Sequence, residues 1–304
     1  MLRCCLIVVV SVFFLIVSAH ASFQAEIALT FDDFPMGSTL MHSKKERVRV
    51  YADKLAKLNI QAAFFCIGEQ MDSAEGRECL NLLPQSQLIA NHTYHHKHLS
   101  EQTVEDFTEE LFVTADLMEE RANYRRWFRF PYLDYGDRSN LGGSDRKRTA
   151  AFLALRNAGY QHGYITINTF DWYVDYHLKQ TLKSGQKINW DNLRAAYLAL
   201  LEEWIDDYHS CWSCVLKRPF VHVLLLHQND LNAIFLEDIV EMIKGKDWVI
   251  VSPDKAFRRP IPYLSKFANT KIRLFHTRGV LTKEHVDDTL ASYCVFSEEA
   301  RLPH

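Results

Sequence analysis

The sequence predicts an α/β fold built on parallel strands, and three observations lead there. Short apolar runs of β type alternate with longer stretches of helical period, no glycine-rich GxGxxG turn follows the first run, and polar residues suited to chemistry sit where the runs end. In order, the runs cover 26–31, 62–67, 87–90, 127–130, 163–168, 221–227 and 248–251. The helical stretches between them show apolar residues three and four apart. The first has Val48, Tyr51, Leu55 and Leu58, and the second has Phe107, Leu111, Ala115 and Met118. A third runs from Phe152 to Ala158 and stops at Gly159. A fourth carries Leu193, Tyr197, Leu200, Trp204 and Tyr208, and a fifth carries Phe235, Ile239 and Ile243 before Gly245. Each spacing buries one helix face. Strand–helix alternation of this kind implies parallel strands joined by right-handed crossovers, about seven of them, closed as a barrel or open as a doubly wound sheet. Residues 173–219 form a long excursion with a polar start and an amphipathic helix, of the kind that often borders a site. The extension after Pro253 has weak periodicity.

The two ends of the argument about compartment lie in the first residues and the cysteines. Arg3 precedes an apolar run over 6–17, and Ala19-His20-Ala21 then offers small residues at the positions a signal peptidase reads. Residues 1–21 are therefore expected to be a signal peptide, with 22–304 a single catalytic domain whose core spans about 26–252. The run is shorter than the roughly 20 residues of a bilayer span, so a soluble mature protein is expected, exported to a periplasm or to the outside. A net charge of −3 gives no reason to invoke nucleic acid or an anionic membrane. In an oxidising compartment Cys211-Trp212-Ser213-Cys214 is expected to close a local disulfide rather than a zinc half-site or redox pair. Cys66 with Cys79 is the expected second pair, leaving Cys294 alone.

Five clusters carry the chemistry. Thr30-Phe31-Asp32-Asp33-Phe34-Pro35 puts adjacent carboxylates at a strand end, where both ionise comfortably only beside a cation. Asn91-His92-Thr93-Tyr94-His95-His96-Lys97-His98 crowds histidines. His92 and His96, four apart, are expected on one face of a helical turn, close enough to share an ion. His95 and His98 would then point elsewhere. The remaining clusters are Arg129-Phe130-Pro131-Tyr132, Asp171-Trp172, and the strand Leu224-Leu225-Leu226 ending in His227. Each alone is bland; their order and placement are informative.

That ordered set resembles the polysaccharide deacetylase family, with its NodB homology domain of the carbohydrate esterase family 4 type. The family pattern TFDDGP falls on residues 30–35, with Phe34 in place of the glycine. The HTxxxH-type motif falls on His92 to His96, RxPY on Arg129 to Tyr132, and the DxW-like element on Asp171-Trp172. The leucine-rich strand ends in His227. The resemblance spans roughly 26–252. It implies a distorted (β/α) barrel and a divalent metal, usually zinc but with cobalt or nickel also acceptable, on Asp33, His92 and His96. It further implies Asp32 as general base oriented by Arg129, His227 as general acid paired with Asp171, and the Tyr132 N–H as an oxyanion donor.

The implied roles agree with the chemistry of amide hydrolysis. A metal lowers the pKa of bound water, Asp32 takes its proton, and the leaving amine needs a proton that Asp171 would keep on His227. Trp172 and Leu225 offer an apolar wall for the acetyl methyl. The implied substrate is an acetylated glycan. An O-acetyl esterase with the same site, a small-molecule amidase of the same fold and a non-catalytic glycan-binding relative are the alternatives. Phe34 is expected to stand beside the metal and either narrow the groove or reshape the turn, and Leu133 stands where many relatives have glycine.

Overall fold

The computed structural model describes residues 24–258, 261 and 282–296, so the expected signal peptide lies outside the described residues. Seven parallel strands form the sheet: β1 Glu26–Phe34, β2 Ala63–Cys66, β3 Leu88–Asn91, β4 Tyr124–Phe128, β5 Gln161–His162, β6 Val221–His227 and β7 Val249–Ile250. Their order is β5-β4-β3-β2-β1-β6, with β7 paired to the start of β1. The run 163–168 is not the continuous strand its composition predicts. Only 161–162 pair with β4, and the chain rejoins the sheet at Ile167, which bridges to Leu224 of β6. Thr166 and Ile167 donate their N–H groups to the Val223 carbonyl, so the far edge hooks back onto β6 and bends the sheet toward a barrel. Gly163 marks the break. A Cβ there would meet the Phe65 ring at 2.6 Å, so only glycine lets the chain pass so close to the interior.

The described helices are α1 Lys44–Leu58, α2 Gly68–Met71, α3 Ala74–Leu82, α4 Val104–Asp116, α5 Asp145–Asn157, α6 Asp171–Ser184, α7 Trp190–Leu216, α8 Asp230–Gly245, α9 Pro253–Arg258 and α10 Lys283–Ser292. Of these, α1 to α8 fill the connections between strands, and α9 and α10 follow β7. Ser43 and Glu46 cap α1 reciprocally, and Asn59 ends it in the left-handed conformation. The excursion 173–219 proves to be mostly two helices. In α7, 27 residues long, Leu193, Tyr197, Leu200, Trp204 and Ile205 are buried in the large core, so α7 is core rather than rim. No described helix is long and apolar enough to cross a membrane.

Strand alternation sorts the side chains into two layers. Ile27, Leu29 and Phe31 of β1, Phe64 of β2, Ile89 of β3 and Leu224 and Leu226 of β6 join the helices in the large core. Ala28, Ala63, Phe65, Leu88, Ala90, Trp127 and Val223 form a separate inner cluster in which small residues recur. Continuing those inner positions along each strand by twos reaches Asp32, His92, Arg129 and His227. The β1–β6 register sets Asp32 beside His227.

Neither expected disulfide forms: no two of the five described cysteines are bridged. Cys211 and Cys214 lie within one continuous helix, which turns the first into the core and leaves the second exposed. Cys66 donates its thiol to the Phe64 carbonyl at 3.4 Å, and Cys79 is buried on α3. Burial pushes the thiols of Cys66 and Cys79 up, the latter to about 11. Native alkylation followed by mass spectrometry should therefore modify Cys214 and Cys294, and reach Cys66, Cys79 and Cys211 only after denaturation. Linked peptides joining Cys211 to Cys214 in the native protein would contradict this.

Candidate active site

A bulge makes the first half of the site. Between Phe31 and Phe34 the β1–β2 register slips by one residue, and Asp33 adopts φ 65°. Consecutive strand residues normally point to opposite faces; an extra residue with a left-handed backbone releases that rule. Asp32 and Asp33 thereby both reach the carboxyl end of the barrel, and Phe34 returns to the outer layer. It is fully buried, with its ring 5.3 Å from Phe64. The expectation that Phe34 narrows the groove is thus corrected: the bulge directs its ring into the core, and it does not line the cavity.

Asp32 is held from within the barrel. Arg129, wholly buried, donates Nη1 to Asp32 Oδ1 at 2.5 Å and to Thr30 Oγ1 at 3.0 Å, and Nε to the Gly163 carbonyl at 2.9 Å. Its guanidinium lies 3.8 Å from the centroid of the Phe65 ring. Burial lowers the Arg129 pKa, and the Asp32 charge works against that lowering. The orientation of Asp32 is therefore set by four elements at once.

Asp33 meets the histidines. Its Oδ1 lies 3.5 Å from His92 Nε2 and 3.1 Å from His96 Nε2, and one ligand atom from each residue falls within 4.8 Å of the others. His92 donates Nδ1–H to the Arg129 carbonyl at 2.8 Å, which fixes the tautomer and leaves Nε2 for a metal. Asp33 Oδ1 is buried and, among the described residues, faces the two imidazole nitrogens without a well-aligned hydrogen bond, as a ligand atom suited to a shared cation would. Burial alone would raise the Asp33 pKa, but the two histidines and the nearby His227 hold it well below the ordinary carboxylate range. An Asp-His-His set on one side of an open groove fits a divalent metal with exchangeable positions. The helical turn expected for His92 and His96 is absent. His92 follows β3 directly, and a loop with left-handed Thr93 (φ 65°) and His96 (φ 55°) brings the second ring back to 4.9 Å from the first.

The other half of the site is His227 at the end of β6. Asp171, fully buried at the start of α6, accepts from His227 Nδ1 at 2.8 Å and from the His227 backbone N–H at 2.7 Å. Thr169, Asn229 and Asn232 also donate to it. Burial would lower the His227 pKa, but Asp171, through charge and hydrogen bond, and Asp33 and Asp32 push it up to about 10. Burial would raise Asp171, and His227 keeps it below the usual value. Asn232 and Tyr197, which no motif singled out, complete this corner: Tyr197 donates to Asn232 Oδ1 at 2.5 Å. Nothing in the spacing of these residues signals the contact, because α7 and α8 meet Asp171 only in the folded protein.

The predicted residues line one cavity of about 540 Å³. Asp32, Asp33, His92, His96, Tyr132, Trp172, Leu225 and His227 all border it, together with His98, Leu133, Arg138, Asn168 and Phe170, which the motifs did not assign. Arg129 and Asp171 stand behind it. His98 does not point away as expected: its ring stacks on Tyr132 at 3.9 Å, anchored by Asp134. Tyr132 and Leu133 both have positive φ, 56° and 51°, and the Tyr132 N–H meets no acceptor among the described residues.

Comparison with known proteins gives this geometry its setting. Residues 22–147 match the family model for polysaccharide deacetylase. A peptidoglycan-N-acetylglucosamine deacetylase of Bacillus cereus is 30% identical over 110 residues, which cover 36% of this chain and 37% of that relative. The chain thus matches little more than a third of that relative's length. Among solved structures, the chitin deacetylase of Colletotrichum lindemuthianum superposes with a TM-score of 0.54 at 15% identity, covering 81% of this chain and 92% of that one. A peptidoglycan N-acetylglucosamine deacetylase gives 0.51 at 20% identity, covering 78% and 90%. A CE4 family pseudoenzyme from Bacillus anthracis gives 0.51 at 15% identity, covering 77% and 66%. These likenesses establish the distorted parallel barrel; because a pseudoenzyme shares it, activity rests on the residues in the groove.

Truncating Arg129 should leave Asp32 as an uncompensated buried charge. Arg129→Leu is expected to lower stability by about 3–5 kcal/mol, read as a shift of the urea unfolding midpoint. A loss below about 1 kcal/mol, the worth of a surface pair, would show that the pair does not brace the barrel.

Proposed function

We propose that this chain is a metal-dependent hydrolase of the polysaccharide deacetylase kind, removing N-acetyl groups from a glycan; the match of residues 22–147 to that family model and the CE4-type barrel support the reading. The observation that carries the reading is the pairing of Asp32 with His227 across adjacent strands, each fixed by its own buried partner, beside the Asp33-His92-His96 cluster. Asp33, His92 and His96 would hold the ion, and a nitrogen-and-carboxylate set of three favours zinc, with cobalt or nickel acceptable. Such an ion, when bound, supplies Lewis-acid polarisation and a lowered pKa for water.

The protein's own groups do the rest. Asp32, aimed by Arg129, accepts a proton from the attacking water as its oxygen bonds to the acetyl carbon. The Tyr132 N–H donates to the carbonyl oxygen as negative charge grows there. His227 then gives its proton to the nitrogen, the C–N bond breaks, and acetate and a free amine leave. Trp172 and Leu225 pack against the methyl. A firmly protonated His227 favours amide over ester cleavage, because an amine departs only when protonated whereas an alkoxide needs less help. The apolar run at 6–17 and the small residues at 19–21 support export to a periplasm or beyond, where acetylated cell-wall or secreted glycans would be met.

The roles separate under mutation. Asp33→Ala or His92→Ala should lose stoichiometric zinc, measured by elemental analysis after dialysis. Asp32→Asn should keep zinc but release acetate from an N-acetylated glycan about 10²–10⁴-fold more slowly. Chelation should silence the wild type and zinc should restore it; full activity in Asp32→Asn, or in the chelated protein, would overturn the assignment.

The charge state of His227 offers a second check. A raised pKa keeps the ring protonated through neutrality, and the stability it contributes is complete below its unfolded value and lost as pH rises toward about 10. Asp171→Asn removes the principal cause. The His227 titration midpoint, followed by imidazole NMR, should fall toward the ordinary histidine range, and the alkaline limb of the rate profile should move down with it. An unmoved midpoint would sink the pairing.

A further inference from the structure

The aromatic surface of the groove does not end at the groove. Trp172 lines the cavity and is still 41% exposed. One turn along α6 stands Tyr176, 51% exposed, on the same helix face by its spacing of four. Tyr173 lies between them, its ring 5.6 Å from Trp172 and 6.2 Å from Tyr176, with the two tyrosine planes within 4° of parallel. From α10, Lys283 sets its ammonium 5.0 Å from the Trp172 ring and 4.9 Å from that of Tyr173, and Asp287 accepts from the Tyr173 hydroxyl at 3.1 Å. The core needs of α6 are met by Val174 and Leu178, both fully buried. Packing against the core therefore does not account for large aromatic rings at 172 and 176.

We propose that Trp172, Tyr176 and Lys283 form a subsite for sugar rings of the same glycan chain, beyond the acetylated unit seated in the groove. The proposal rests on the deacetylase reading. A pyranose has an apolar C–H face and a rim of hydroxyls. Flat, rigid aromatic rings cover such a face with little loss of side-chain entropy, and an ammonium offers three donors to the rim. One helical turn advances about 5.4 Å, roughly the length of a pyranose unit, so Trp172 and Tyr176 take neighbouring rings. The patch is continuous with the groove through Trp172, which belongs to both. This makes the long form of the substrate, rather than its acetyl group, the source of the additional affinity.

The test is calorimetric binding of N-acetylglucosamine dimer and hexamer to the Asp32→Asn protein, with and without Tyr176→Ala, which leaves the reaction groups intact. Tyr176→Ala should weaken hexamer binding about tenfold, equivalent to one factor-of-ten step in affinity, and leave the dimer within about twofold. Tyr176→Phe should restore the hexamer, because the ring and not the hydroxyl makes the contact. With Asp32 in place, Tyr176→Ala should raise KM for the hexamer and leave kcat unchanged. Equal losses for dimer and hexamer, or a hexamer bound no more tightly than the dimer by the unsubstituted face, would overturn the subsite. A change in sedimentation on Tyr176→Ala with glycan binding intact would assign the face to self-association instead. The two readings separate cleanly: absence of acetate release from every oligomer overturns the deacetylase reaction, whereas the ratio of hexamer to dimer binding judges the subsite alone.

Discussion

The buried guanidinium of Arg129 organises the carboxyl end of the barrel. Arg129 occupies the barrel interior, where it holds Asp32 and Thr30 of β1 and the Gly163 carbonyl and covers the Phe65 ring. Placing a guanidinium and a carboxylate in so dry a position costs several kcal/mol of desolvation per ion before attraction offsets it. One of its nitrogens, Nη2, has no partner in the described protein. An apolar interior would be simpler to stabilise, so the arrangement is best understood through what it positions. The inner layer makes room for it with Ala28, Ala63, Ala90 and Val223, and the break at Gly163 supplies an acceptor where a regular strand would have turned its carbonyl to a neighbour.

Around that anchor the backbone is strained where the groove is built. Of nine non-glycine residues with positive φ in the described chain, five are Asp33, Thr93, His96, Tyr132 and Leu133. Left-handed conformations cost roughly 1–2 kcal/mol each for ordinary residues. Such departures persist where surrounding contacts over-determine them, and they gather at sites that need side chains or N–H groups in places regular strands cannot supply. Asp33 turns so that two adjacent carboxylates serve one cavity, His96 turns back to His92, and Tyr132 keeps an N–H that meets no acceptor among the described residues. The cost falls on the bulge near the end of β1 and on the loops that follow β3 and β4.

The acidic partner of His227 is secured differently, by numbers rather than by strain. Asp171 gathers donors from Thr169, the His227 ring and backbone, Asn229 and Asn232. It sits in the first turn of α6, where the helix dipole favours negative charge. The long helix α7 reaches the same corner through Tyr197 and Asn232. The excursion after Asp171 therefore supports the His227 side of the groove from behind, and its outer face, on α6, extends the aromatic wall.

Much of this was legible in the chain before it folded. Alternation by twos marks which residues of β1, β3, β4 and β6 share a face, and it carries Asp32, His92, Arg129 and His227 to one layer because pleating leaves no other choice. The five ordered motifs named the groups that meet in the groove. Local composition did not contain the bulge at Asp33, which sends Phe34 into the core. Nor did it contain the loop that replaces the helical turn between His92 and His96, or the lack of a bridge between Cys211 and Cys214 on one continuous helix. Asn232, Tyr197 and His98 were invisible for the same reason. Their roles arise from contacts between segments far apart in the chain, and periodicity reports only which face a residue takes, never what it meets there. The sequence by itself determined the parallel α/β layering and the identity of the groups that gather in the groove. Tertiary structure alone decided their distances, their partners and their charge, because those depend on burial and on neighbours that only the closed barrel brings together.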